Sequence, residues 1–127
     1  MQVLLPIHPR PTIEIFNGVK QYEYRKHNFT RPNIEKVIVY ETFPMSKIVG
    51  EFTIDDIICD TPDNLWLLTH DKSGISERQF RQYFHDHKKG YAIKIKTYHK
   101  YDKPLPLSVI ERRDPPQSLI YLPNDPL

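Results

Sequence analysis

Hydrophobic residues along the chain fall into short blocks separated by polar turns, as is typical of a domain with several short strands. The aliphatic runs at Val3–Ile7 and Val37–Tyr40 lack polar alternation and predict strands buried on both faces. Strict alternation over Tyr91–Tyr98 predicts a strand with one exposed face. In all, the pattern predicts about five strands, at 3–7, 19–26, 36–40, 47–58 and 91–98.

Three helix signals lie between these strands. A segment of barely two turns begins near Pro11, and because so short a helix is marginal alone, it must be held by packing. Thr61 followed by proline predicts an N-cap, and Ser76 with Gln79 matches a capping box. The aromatic residues of the third helix recur at helical spacing and are expected in the core rather than as a platform for bases; they are Phe80, Tyr83 and Phe84.

These elements predict an α+β fold, a small mixed β-barrel of about five strands with short helices around one end. The alternative on the pattern alone is an open five-stranded sheet with helices on one face. Gly50, within the fourth strand, predicts a bulge or a close backbone approach. No linker divides the chain, so residues 1–122 are expected to form one domain, with residues 123–127 as a flexible tail.

Composition excludes several classes of protein. With 39% hydrophobic and 27% charged residues among 127, the chain is expected to be an ordinary soluble, cytoplasmic protein with no membrane partner. Cys59 is the only cysteine, so neither an internal disulfide nor a cysteine-based zinc site is expected, and no cofactor is predicted. A net charge of +2 does not decide whether nucleic acid is bound. A monomer is favoured, but the sequence does not determine the oligomeric state.

The candidate chemistry lies where the first helix ends and the second strand begins, a segment that we call the corner (Asn17–Arg25). Asn17-Gly18 can end a helix in a left-handed conformation. Along the strand that follows, Glu23 and Arg25 share one face, and Lys20 lies at its entrance. A surface strand with a Glu–Arg pair remains the alternative to a binding site.

The corner, read as Gly18-x-Lys20-x-x-Glu23-x-Arg25, resembles the G-x-K-x-x-[ET]-x-R motif of the ASCH domain family, which belongs to the PUA-like β-barrels. Further pieces follow in the family's order, at Leu5–Pro9, Val49–Phe52, Gly74–Ser76, Tyr91–Ile95 and Pro115–Ser118. The resemblance covers residues 4–122. It implies a PUA-like fold, and a function drawn from RNA binding, RNA cleavage or acetylcytidine hydrolysis.

The first functional hypothesis is a module that binds RNA or a modified nucleoside in a cationic cleft at the corner. Lys20 and Arg25 would contact phosphate or an exocyclic oxygen, Glu23 would accept from an amino group, and a ring would stack on the base. The heads of both cations need not be buried for this role. The proposed ligand-binding residues are His8, Lys20, Glu23, Arg25, Gln117, Ser118 and Tyr121.

Two enzymatic alternatives use the same residues, and the sequence does not decide whether any reaction is catalysed. In an amidohydrolase acting on an acetylcytidine-like nucleoside, Lys20 and Glu23 would be catalytic, although the resemblance implies a threonine nucleophile at position 23. The resemblance also implies a catalytic carboxylate at Lys72 or Ser73, and the nearest carboxylate in the sequence is Asp71. A nuclease would pair His8 with Lys20 or Arg25.

A second surface is suggested by a basic strip on the last predicted strand, formed by Lys94, Lys96, Tyr98 and Lys100. Lysines interleaved with tyrosine suit a nucleic-acid backbone, and they equally suit an outer strand protected from aggregation. His85 and His87 are two residues apart and point in divergent directions on a helix, so no metal site is predicted there.

Overall fold

The computed structural model describes residues 1–123 and contains one six-stranded sheet with three short α-helices. The strands are β1 (Gln2–Ile7), β2 (Tyr22–Arg25), β3 (Lys36–Glu41), β4 (Lys47–Asp60), β5 (Gly90–Leu105) and β6 (Ile120–Leu122). The helices are α1 (Pro9–Phe16), α2 (Pro62–Thr69) and α3 (Glu77–Tyr83), with 3₁₀ turns at His70–Lys72 and Leu107–Ile110. The predicted α+β class is confirmed.

The sheet has the order β2-β5-β4-β3-β1-β6, in which only β1 and β3 are parallel. The order is linear, so β2 and β6 are its two edges. The β2–β3 loop reaches across to β6, where the backbone N–H of Thr30 donates to the Tyr121 hydroxyl over 2.8 Å. The guanidinium of Arg31 lies 4.6 Å from the centre of the same ring. A loop, rather than a strand ladder, therefore joins the two edges.

The predicted central strands form the core. Val3, Val37 and Val39 are fully buried on one face of the sheet, in a cluster that α1 covers with Ile15. Leu4 and Ile38 are buried on the opposite face, against the 3₁₀ turn at Leu107–Ile110. Because successive residues of a strand point to opposite faces, both strands need apolar residues at every position.

Helices α2 and α3 pack on the outer side of β2 and β5. Tyr24 lies edge-on to Phe80 and Phe84, at 5.0 and 5.9 Å between ring centres. The core role predicted for Phe80 and Phe84 is confirmed, since both are buried, whereas Tyr83 keeps 38% of its surface exposed. Both predicted N-caps are also present, at Thr61 and at the Ser76 capping box.

Gly50 is the close backbone approach that the sequence predicts. A Cβ at this position would lie 2.6 Å from the carbonyl oxygen of His99 and 2.6 Å from the ring of Phe16. The register of β4 against β5 shifts beside it, between Ile48 and Gly50. Across residues 1–123, no helix is both long enough and apolar enough to cross a membrane. The tail predicted at residues 123–127 lies, from residue 124 onward, outside the described residues.

Candidate functional site

The corner is held by backbone geometry that only glycine adopts easily. Asn17 ends α1, and Gly18 has a φ of 81°. A Cβ on Gly18 would lie 2.8 Å from the Tyr98 hydroxyl, so the turn is also closed on that side. The side chain of Asn17 accepts from the N–H of Val19 over 3.1 Å. These contacts direct the chain from α1 into β2.

Lys20 is buried, which the sequence did not require. The residue keeps only 3% of its surface exposed, and Nζ donates to the carbonyl oxygen of Ser73 over 2.6 Å. Its ammonium also lies 5.2 Å from the centre of the Tyr24 ring. The backbone N–H of Lys20 donates to the backbone oxygen of Glu14 over 2.9 Å, which fastens the corner to α1. Lys20 therefore carries structural contacts as well as charge.

Glu23 points to the inner face of the sheet. Its partner across the β2–β5 ladder is Ile93, which belongs to the main core cluster. The carboxylate oxygen Oε2 is buried and has no hydrogen-bond partner within residues 1–123. Buried carboxylate oxygens are almost always hydrogen-bonded, because leaving one unpaired costs about 1–3 kcal/mol. Glu23 Oε2 is thus a hydrogen-bond acceptor without a donor in residues 1–123, on the inner face of the sheet and within the corner segment.

Burial shifts the pKa of Lys20 and of Glu23 more than the two charges shift each other. Burial raises the pKa of the Glu23 carboxyl, although Lys20, Arg25 and His8 are close enough to oppose this rise. Burial lowers the pKa of the Lys20 ammonium, although Glu23 and Glu14 oppose that change. Desolvation therefore outweighs the attraction of the neighbouring charges at both groups.

Arg25 and His8 complete the cationic rim around Glu23. Arg25 is partly buried, with Nε donating to the carbonyl of His27 over 3.3 Å, and its terminal nitrogens make no hydrogen bond within residues 1–123. His8 is exposed, and its Nδ1 lies 3.2 Å from the Thr42 hydroxyl. Its Nε2 has no partner in the described part of the chain. Both rim residues thus offer unused nitrogens to a ligand.

Glu14 is a member of the site that the sequence reasoning missed. It lies on α1, close enough to Lys20 to affect its pKa, and forms an ion pair with Arg10 at 3.6 Å. A Cβ on Gly74 would lie 2.5 Å from Glu14 Oε2, so the glycine makes room for this carboxylate. Glu14 therefore supplies the acid beside Lys20, whereas Asp71 is exposed. Helical spacing alone does not reveal such a contact, because the acid belongs to a different element.

The three predicted ligand-binding residues near the end of the chain, Gln117, Ser118 and Tyr121, do not all lie near the corner. Gln117 and Ser118 are exposed and precede β6, which begins opposite Leu4 and runs antiparallel to β1. They therefore lie toward the end of β1 from which His8 leaves. Tyr121 pairs with Val3, and at about 3.3 Å per residue it is about 16 Å along β1 from His8. A ligand-binding role for these three residues stays a prediction.

The residues of the basic strip on β5 are exposed, but a register shift opposite Thr53 and Ile54 interrupts the strip between Lys94 and Tyr98, and its charges are not all free. Lys94, Lys96, Tyr98 and Lys100 are all exposed. Lys94 forms an ion pair with Asp55 at 3.4 Å between Nζ and Oδ2. Lys100 lies close enough to Glu41 to oppose the rise that burial gives the pKa of that carboxyl. Tyr98 reaches the corner through its contact with Gly18.

The two histidines after α3, His85 and His87, each contact a neighbouring residue of the same segment. His85 pairs with Asp86 at 3.2 Å, and His87 Nδ1 lies 3.0 Å from the backbone oxygen of His85. Within residues 1–123, no group of three or more His, Cys, Asp or Glu side chains is arranged to hold a metal ion.

Two similar sequences come from Ureaplasma parvum serovar 3, and no family model matches the chain. ATP synthase subunit alpha is 30% identical over 121 residues, which are 94% of this chain and 15% of that protein. Large ribosomal subunit protein uL22 is 30% identical over 87 residues, which are 68% of this chain and 28% of that protein. The chain thus spans less than a third of either relative.

Matches from Zymomonas mobilis extend over nearly the whole chain. An ASCH domain-containing ribonuclease is 24% identical over 125 residues, covering 95% of this chain and 84% of that protein. The crystal structure of ASCH from the same organism superposes with a TM-score of 0.87 at 22% identity, covering 98% of this chain and 90% of that one. At this identity the structural likeness concerns the fold.

Proposed function

Because the chain folds as an ASCH domain, we propose that it binds RNA and receives one nucleotide base at the corner, with Glu23 as the selecting acceptor. The observation that carries the proposal is the buried Glu23 Oε2, which has no partner within residues 1–123. A site that keeps a buried acceptor open is expected to receive a donor when its ligand arrives.

Nucleobases supply the matching donors. The exocyclic amino groups of cytosine and adenine, and the N–H groups of guanine, can donate to Oε2. The unused nitrogens of Arg25 and His8 suit a base carbonyl or a phosphate oxygen. Lys20 contributes positive charge beside Glu23, with one of its three N–H donors engaged by the Ser73 carbonyl. The corner therefore combines one acceptor with a cationic rim.

Binding of a labelled single-stranded RNA of about eight nucleotides, measured by fluorescence anisotropy in rising salt, tests this function. We expect affinity to fall with salt, and Arg25→Ala to weaken binding by about 1–3 kcal/mol. Glu23→Gln should hold or tighten overall affinity while reducing discrimination between bases, because Gln offers both a donor and an acceptor. Lys47→Ala is the charge-matched control, since Lys47 is an exposed residue next to the β3–β4 turn. Negligible, salt-insensitive binding would refute the proposal.

RNA cleavage at the same site is a second candidate, supported by the opposed pKa changes of Lys20 and Glu23 and by the ribonuclease among the similar proteins. A carboxyl whose pKa is raised is a better base near neutral pH. Glu23 would take the proton of a ribose 2′-hydroxyl, whose oxygen then attacks phosphorus. Arg25 would stabilise the added negative charge, and the departing 5′-oxygen would gain a proton from His8 or water.

Gel analysis of end-labelled RNA separates binding from cleavage. If cleavage occurs, Glu23→Gln should abolish product while retaining affinity, because it removes the base and keeps the shape. Intact RNA after prolonged incubation with wild-type protein would eliminate this candidate and leave the binding function in place.

Acetylcytidine hydrolysis has less support at the corner. The Ser73 hydroxyl donates to the carbonyl of His70 over 2.9 Å, and Lys20 Nζ contacts the Ser73 carbonyl rather than a hydroxyl. Glu23 would therefore have to activate water directly. Chromatography of acetylcytidine incubated with wild-type protein and with Lys20→Ala decides the point, since equal product from both would exclude the reaction.

A further inference from the structure

Two basic segments that are far apart in sequence meet where β2 ends and β5 begins. The antiparallel register pairs Arg25 with Tyr91, so the residues after β2 lie beside those before β5. The rings of His27 and His87 are accordingly 6.3 Å apart between centres, at 68°. We call the resulting patch the junction surface, defined by Lys26, His27, His87, Lys88 and Lys89.

The lysines of this surface are uncompensated. Within residues 1–123, neither Lys26, Lys88 nor Lys89 forms a salt bridge. Asp60, opposite Gly90 in the β4–β5 ladder, accepts hydrogen bonds from the Thr61 N–H and the Asn64 amide and forms no salt bridge within residues 1–123. The other nearby acids have cationic partners. Asp86 pairs with His85 at 3.2 Å, and both Asp63 and Glu77 pair with Arg81. Three like charges therefore lie at one surface without ion-pair partners, an arrangement that disfavours the protein alone and favours a polyanion.

A groove runs beside the junction surface. It encloses about 460 Å³ between the start of α2 and the segment after α3, and its lining includes Pro62, Phe84, His87 and Lys88. Its one carboxylate, Asp63, is neutralised by Arg81. The groove therefore combines the apolar surface of Pro62 with polar and cationic edges, as suits the backbone of a single strand.

Tyr83 makes the junction surface continuous with the corner. Lys26 Nζ lies 4.8 Å from the centre of its ring, and its hydroxyl donates to the carbonyl of Tyr24 over 3.3 Å. On the corner side, Tyr83 is close enough to Glu23 and Arg25 for both charges to affect its titration. One exposed tyrosine thus touches both regions.

We propose that the junction surface binds the phosphate backbone of the single-stranded RNA whose base occupies the corner, carrying the strand from Arg25 past Tyr83 into the groove beside Lys88. The proposal rests on the function proposed above. It adds a direction for the strand and a second surface, distinct from the strip on β5.

The experiment compares two triple variants that remove the same charge. One is Lys26→Ala, Lys88→Ala, Lys89→Ala; the other is Lys94→Ala, Lys96→Ala, Lys100→Ala. Each is titrated with a cytidine mononucleotide and with single-stranded RNAs of increasing length, at several salt concentrations. Circular dichroism checks folding, and a Lys→Arg triple at the junction positions tests whether charge alone is needed.

We expect the junction triple to bind the mononucleotide normally and to lose the affinity that longer RNA gains. The slope of log K against log salt should fall by about 2, from three phosphate contacts at about 0.7 each. The Lys→Arg triple should behave like wild type. Should the junction alanine variant fail to fold, the double variant Lys88→Ala, Lys89→Ala takes its place, with an expected change of about 1.4 in the slope.

The outcomes separate this proposal from the function it rests on. An unchanged slope in the junction triple, with a reduced slope in the β5 triple, would overturn the junction surface and leave corner binding intact. Normal binding of long RNA by Arg25→Ala and unchanged discrimination between bases by Glu23→Gln, combined with loss of binding in the junction triple, would overturn the corner instead. Equal binding of polyglutamate of matched charge, or no binding of any RNA by wild type, would overturn the junction proposal.

Discussion

Glu23→Gln is expected to make the protein more stable at neutral pH, although it removes a carboxylate that lies near the cations of Lys20 and Arg25. Burial raises the folded pKa of Glu23 above its ordinary value of 4.5, and it does so against the attraction of Lys20, Arg25 and His8. Folding therefore favours the uncharged carboxyl even with its cationic neighbours in place. Glutamine has nearly the same shape and carries no charge to desolvate.

The sign and size follow from proton linkage. Because the folded pKa is raised, the stability contributed by Glu23 is complete below its ordinary value of 4.5 and is lost as pH rises through the folded pKa. A tenfold difference between the folded and unfolded acid dissociation constants corresponds to about 1.4 kcal/mol. Because burial outweighs the cationic neighbours, we expect Glu23→Gln to raise the free energy of unfolding at neutral pH.

Urea unfolding at about pH 7 and about pH 4 measures the effect. The gain should be present at the higher pH and vanish at the lower one, where wild-type Glu23 is itself protonated. Glu35→Gln is the matched control, since Glu35 is exposed and forms no ion pair within residues 1–123. A loss of several kcal/mol at neutral pH would refute the reasoning and make Glu23 a structural ion-pair partner.

Three further variants test the corner. Lys20→Met should lower the free energy of unfolding by about 1–3 kcal/mol in urea, because it leaves the Ser73 carbonyl without its donor. Since burial lowers the folded pKa of Lys20, the stability it contributes is present above the ordinary value of 10.5 and lost as pH falls through the folded pKa; Lys20→Met should abolish that alkaline dependence. Gly18→Ala should cost about 1–3 kcal/mol of stability, from a φ of 81° and contact with the Tyr98 hydroxyl, and a melt unchanged from wild type would contradict this. Arg25→Ala should change unfolding by less than about 1 kcal/mol, since only its Nε is hydrogen-bonded, while RNA affinity falls; the reverse pattern would make Arg25 structural.

The sequence by itself determined the elements that depend on local pattern. Unbroken aliphatic runs predicted β1 and β3, since a strand buried on both faces needs apolar residues throughout. Capping residues located the starts of α2 and α3 because their hydrogen bonds are local. The corner was also visible, because side chains two apart on a strand share a face and Gly18 marks the turn.

The sixth strand was missed because its signal is weak. Ile120–Leu122 spans only three residues among prolines, and it becomes a strand by pairing with the start of β1, more than a hundred positions earlier. A pattern within the segment cannot indicate a partner so distant in sequence. The same limit concealed the loop that joins the sheet edges through Thr30 and Tyr121.

Only the tertiary structure decided the electrostatic character of the site. The burial of Lys20, the open acceptor of Glu23 and the arrival of Glu14 beside Gly74 all depend on which elements pack around the corner. The junction surface likewise exists because strand pairing brings Lys26 to Lys88 and Lys89. The sequence specifies which side chains are charged. Their desolvation and their distance from other charges depend on the tertiary structure, and these two effects determine their pKa values and their availability to a ligand.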